Sequence, residues 1–119
     1  MSDHIPDITK KVLKGHPRFY ELIEKMKQIH SSKNQDYASS EDPLKNLRGC
    51  ERIGIPAHIG CFIRIQDKYS RLENLIGGLK EPQVKDESIL DTLMDLAVYS
   101  LLDIILIEEM VSKIKREII

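Results

Sequence analysis

Apolar residues along this chain recur at helical rather than strand spacing. Phe19, Leu22, Ile23, Met26 and Ile29 fall three and four apart between His16-Pro17 and about Ser32. This predicts an amphipathic helix opened by a first-turn proline, where the missing N–H would have had no partner anyway. Before it, Pro6 to Lys14 predicts a short helix ending at Gly15. The polar run Lys33-Asn34-Gln35-Asp36-Tyr37-Ala38-Ser39-Ser40 predicts a loop. Asp42-Pro43 offers an N-cap and a first-turn proline for a helix that stops at Gly54. Pro56 starts the next, which runs to Gly77-Gly78, a pair suited to the left-handed backbone just past a helix end. Residues 79–85 predict a charged linker. Asp86 caps the last helix, Glu87 lies in its first turn, and Lys113, Lys115 and Arg116 suit the negative end of its dipole. No alternating strand pattern longer than a few residues, internal repeat or low-complexity tract interrupts this series. The expected fold is all-α: one domain over residues 1–119 with its core at about 17–112, a bundle of about four to five helices with a long apolar C-terminal helix.

That last helix carries Leu90, Leu93, Met94, Leu96, Ala97, Val98, Tyr99, Leu101, Leu102, Ile104, Ile105, Leu106 and Ile107. These positions run all the way round the helix, and such a helix needs cover on every side. A small domain has few helices with which to provide it. The expectation is a subunit interface along this helix, in a homodimer or a homotetramer. The alternative is a monomer whose other helices wrap it completely.

Composition adds limits. The 119 residues are 41% hydrophobic and 31% charged, a globular balance that fits one domain. A formal net charge of -1 argues against direct binding to a nucleic-acid backbone. It leaves room for a small anion held by a local basic cluster. Cys50 and Cys61 are too few and too far apart for a disulfide framework or a paired metal site, and read as small apolar fillers in a reducing compartment. Asp3, Asp7, Lys10 and Lys11 interrupt any signal-peptide-like run. Leu96 to Ile107 is broken by Asp103 and is too short to span a bilayer. A cytoplasmic protein without a membrane partner is expected.

Three groups of residues offer chemistry. Asp91 and Asp95 share a face of the apolar helix, Glu87 extends the row, and Asp103 lies further along. Carboxylates in apolar surroundings are costly unless paired, hydrogen-bonded or bound to a metal. Two readings stay open: oxygen ligands for Mg²⁺ or Mn²⁺, or ion pairs with Arg or Lys of a neighbouring helix. The second group is Arg64, Asp67, Lys68 and Arg71, spaced along one helical face. It reads either as a ladder of exposed salt bridges or as a metal-binding acid among phosphate-binding bases. The third is the run Lys33, Asn34, Asp36 and Tyr37, with Asn46 beyond it. It reads as ordinary turn chemistry or as a nucleotide grip, with Tyr37 offering a ring to a base. His4, His16, His30 and His58 lack metal-ligand spacing, Glu21 and Glu24 read as a solvated face, and the common phosphate-loop, dinucleotide and serine-hydrolase motifs are absent.

Taken together, "KNQDYASSEDPLKNLR", "IRIQDKYSRLENL" and "KDESILDTLMDLAVYSLL", spread over about residues 17–107, resemble small phage and prophage proteins described as MazG-like or as nucleotide-modification-associated domains. The wider family that this resemblance implies is the all-α nucleoside triphosphate pyrophosphohydrolases. It implies a dimer or tetramer with sites near subunit interfaces and acids on two adjacent helices holding Mg²⁺. Its reaction is a metal-activated water cleaving a nucleoside triphosphate to monophosphate and pyrophosphate. On that resemblance Asp67, Asp91 and Asp95 are the catalytic candidates, and with Glu87 the metal ligands. Lys33, Asn34, Asp36, Tyr37, Asn46, Arg64, Lys68 and Arg71 are the substrate-binding candidates. The location it implies for a phage-encoded protein is the host cytoplasm. The chain departs from the family pattern at Ser70 and Thr92, which stand in two of the acidic places. Two other classes fit the same residues: a non-catalytic nucleotide-binding or sequestering protein, and a structural helical oligomer.

Overall fold

The computed structural model describes residues 12–37, 42–77 and 86–118, and of residues 35–37 and 86–88 the backbone alone. Over these the chain is an all-α bundle of four helical elements with no strand. They are α1 (Pro17–Tyr37), a 3₁₀ segment (Lys45–Ile53), α2 (Ala57–Gly77) and α3 (Asp86–Ile118). The predicted short helix falls mostly outside the described residues, and its last three, Val12 to Lys14, are not helical.

α2 and α3 form the body. Cys61 donates its thiol to the Tyr99 carbonyl at 3.5 Å, and Lys68 meets Asp95 at 3.2 Å. The higher number on one helix thus pairs with the lower on the other, so the two run antiparallel. Covered positions along α2 include Ala57, Cys61, Ile65, Lys68, Leu72 and Leu75, and along α3 Thr92, Leu96, Tyr99, Asp103, Leu106 and Met110. Both series advance by steps of three or four, the spacing that keeps a seam facing a partner helix. The apolar coat of α3 therefore divides into a seam against α2 and an uncovered remainder. Leu90, Leu93, Leu101, Ile104, Ile105, Ile107, Val111, Ile114 and Ile118 are exposed in the single chain.

The structure corrects the expectation for residues 42–54. They begin as predicted, with the Asp42 carboxylate accepting the Leu44 N–H at 3.0 Å, but continue as a nine-residue 3₁₀ segment. Runs of this length are uncommon. The physical reason is register. A three-residue period lines up Leu44, Leu47 and Cys50, and the two leucines join Ala57, Cys61 and Leu106 in the buried core. Arg48 fastens the segment from outside, donating to Asp42 at 2.8 Å and to both oxygens of Glu109 on α3 at 3.0 and 3.3 Å. The hydrogen bonds from Arg48 hold the Asp42 carboxyl below its ordinary pKa. Gly54 ends the segment with φ 82°, where a side chain would be strained. Gly77, in contrast, is the last helical residue of α2 and not a left-handed cap, and Gly78 lies outside the described residues.

The second correction concerns the polar run after Ser32. α1 continues through Lys33, Asn34, Gln35, Asp36 and Tyr37. Ser, Asn and Asp are weak helix formers, but no Gly or Pro stands between Pro17 and Pro43. Extending an existing helix adds one hydrogen bond per residue fixed, so weak formers alone do not stop it. α1 lies against the rest mainly through α3.

Candidate functional site

The helical extension of α1 creates the site. Because the backbone stays helical to Tyr37, His30, Lys33 and Asn34 fall on one face at the end of α1. They form one wall of a cleft of about 500 Å³. Pro43, Leu44, Asn46 and Leu47, from the 3₁₀ segment and the turn before it, form the second wall. Arg64 of α2 closes one side, and Asp95, Val98, Tyr99 and Leu102 of α3 form the floor. The volume is in the range of small-molecule sites, which combine an apolar surface with a few convergent polar groups.

The polar groups are arranged around Asp95. Its Oδ1 lies 3.5 Å from Lys33 Nζ and its Oδ2 3.2 Å from Lys68 Nζ. The two lysines come from α1 and α2, so one carboxylate on α3 joins all three helices. Asp95 is 27% exposed, Lys68 31% and Lys33 57%. This is a pair of solvent-reached ion pairs and not a sealed one, and each contributes little to stability alone. On α1, Asn34 Nδ2 and His30 Nε2 stand 3.4 Å apart.

Of the residues expected from the sequence, Lys33, Asn34, Asn46, Arg64 and Asp95 meet in this cleft. Lys68 reaches it through Asp95. Asp67 and Arg71 are exposed on α2 away from the cleft lining, and Asp91 is exposed one turn before Asp95. The side chains of Asp36, Tyr37 and Glu87 lie outside the described residues. Thr92, in one of the acidic places of the family pattern, is buried at 3% exposure. Among the described residues no three His, Cys, Asp or Glu side chains gather into a group able to hold a metal ion. Asp95 follows the other reading of the acidic row, an ion pair with bases of neighbouring helices.

Two residues of the cleft escaped the sequence reading. His30 and Tyr99 line the cleft. His30 is visible only once α1 is extended, because it then stands one turn before Asn34. Tyr99 reads as one more apolar residue of α3. Asp103, the further acid of the apolar helix, is 6% exposed, and its Oδ1 has no hydrogen-bond partner among the described residues. Burial raises its pKa, against the opposing pull of His58 and the Cys61 thiol. Burial also pushes the Cys61 thiol up to about 11, and the charge of Asp103 adds to that shift. Cys61 is therefore an inert core thiol and not a nucleophile.

No helix among the described residues is long and apolar enough to cross a membrane. Searches with protein-family models, curated proteins and solved structures returned no match to the chain.

Proposed function

We propose that the cleft at the end of α1 binds a nucleotide through its phosphates. The observation that carries this reading is that Lys33 and Arg64, from two different helices, line one cleft with Asn34, Asn46 and several apolar side chains, while Lys68 meets Asp95 on its floor. Arg offers a planar fork to phosphate oxygens, and Lys a compact charge that tolerates several geometries. Asn34 and Asn46 supply donors and acceptors for a sugar or base edge, while Leu44, Leu47 and Tyr99 offer apolar cover to a base.

The reaction that the resemblance to MazG-like proteins implies is hydrolysis of a (d)NTP to monophosphate and pyrophosphate, with Mg²⁺ or Mn²⁺. It is our first reading of the activity, in phage-type nucleotide metabolism, with a second copy of the chain covering α3. Within that reading the chain's own part is to hold and orient the phosphates through Lys33, Arg64 and Lys68. Positioning and charge stabilisation carry most of the catalysis in phosphoryl chemistry. The second reading, a nucleotide-binding protein without turnover, is favoured by the engagement of Asp95 with two lysines.

One experiment separates the two. A panel of natural and modified dNTPs is incubated with the protein and Mg²⁺ or Mn²⁺, with pyrophosphate release measured alongside calorimetry in EDTA. Pyrophosphate release that is lost in the Asp91→Asn/Asp95→Asn double variant supports the hydrolase. Binding in EDTA without turnover supports the binder. Neither binding nor turnover with any nucleotide refutes the cleft assignment.

A further inference from the structure

We infer that Asp95 is an internal substitute for the ligand's negative charge, which an incoming phosphate must displace from Lys33 and Lys68. The inference rests on the phosphate reading of the cleft and adds how that site is held before the ligand arrives. Each oxygen of the carboxylate meets its own ammonium, at 3.5 Å from Lys33 and 3.2 Å from Lys68. Arg64 in the same lining adds a third cation to the cleft. A terminal phosphate carries more charge and one oxygen more than a carboxylate. It can take both ammoniums and the Arg64 fork together, which Asp95 alone does not.

The existing pairs are suited to exchange. The Lys33 side chain is 57% exposed, and its contact is the longer of the two. Exposed pairs of this kind are held weakly and reform with little penalty. Once the lysines turn to a phosphate, the Asp95 carboxylate is left beside another anion. Like charges at short range oppose binding unless a cation lies between them. Without metal, Asp95 thus works against phosphate binding. A residue whose only role is to hold the ligand through a metal has no such effect.

The test is calorimetric titration of inorganic pyrophosphate in EDTA, at low ionic strength, into the wild-type chain, Asp95→Asn, Asp95→Ala and Lys68→Met. Both Asp95 variants should bind on the order of tenfold tighter than wild type, and Lys68→Met weaker, as expected for charge-assisted contacts. If wild type binds and both Asp95 variants bind no better, the inference is overturned while the phosphate cleft stands. No binding by any of the four chains removes the cleft assignment and the inference together. Should both Asp95 variants lose their helical circular dichroism, the wild type still decides. At saturating pyrophosphate the Asp95 carboxyl-carbon resonance must shift, and an unmoved resonance overturns the inference.

Discussion

Asp103 sits in the α2–α3 seam near Cys61 and His58, and among the described residues one of its oxygens has no hydrogen-bond partner. Burying a carboxylate favours its neutral form, and so its pKa is raised. The sign of the pH effect follows from linkage. Below the carboxyl's ordinary value of 3.8, Asp103 is protonated in both folded and unfolded chains and costs nothing. As pH rises from there through the raised folded value, the unfolded chain releases the proton more readily, and stability is lost. Asp103→Asn keeps the shape and removes the titration. In urea unfolding near pH 7 it should be more stable than wild type, because the neutral amide carries no charge into the buried seam. The difference should vanish in acid near pH 3. A variant less stable than wild type near pH 7 would show instead that the Asp103 carboxylate supports the seam.

Among the elements, the 3₁₀ segment is the one whose geometry most constrains its neighbours. Cys50, at the end of its buried row, comes so close to α2 that a Cβ on Gly60 would stand 2.5 Å from Cys50 Sγ. Gly60→Ala should therefore destabilise the chain by about 1–3 kcal/mol through overpacking. Much of that loss should return in Gly60→Ala/Cys50→Ala, a coupling readable from a double-mutant cycle in urea. Equal losses from Gly60→Ala with and without Cys50 would show that the helices have shifted apart. This contact also marks what the sequence can convey. α2 and α3 were legible because Pro56 and Asp86 punctuate them and their apolar spacing is sustained. The α-to-3₁₀ change at Lys45–Ile53 was not, since Leu44, Leu47 and Cys50 choose that period only in the presence of the α2–α3 seam. Lys33 and Asn34 stood out for their chemistry but were placed on a loop, because local propensity overstates how readily Ser, Asn and Asp stop an established helix. With that placement His30 was lost from the site. The pairing of Asp95 with lysines was one of two open readings. Choosing between them requires knowing which α2 residue faces it, and spacing within one helix does not contain that.

At the scale of the molecule, α3 remains half covered. Leu101 and Ile104 are 48% and 52% exposed on the side away from α2, in a longer stripe with Leu93, Ile107, Val111 and Ile114. Burying one such side chain is worth about 1.5–3 kcal/mol, so the stripe favours association strongly. Wild-type protein should scatter light as a dimer or larger assembly. Leu101→Lys/Ile104→Lys should weaken that assembly by roughly a hundredfold or more while leaving helix content unchanged. A wild-type chain that elutes as a monomer at high concentration would end this expectation. The cleft has a mechanical side as well. Lys33 lies near the end of a rod whose start, Pro17, is about 24 Å away along the axis. Because α1 leans on the body mainly through α3, the Lys33–Asp95 pair is a tie between this end of the rod and the body. A tilt of α1 by about 10° about that tie would carry its Pro17 end by about 4 Å.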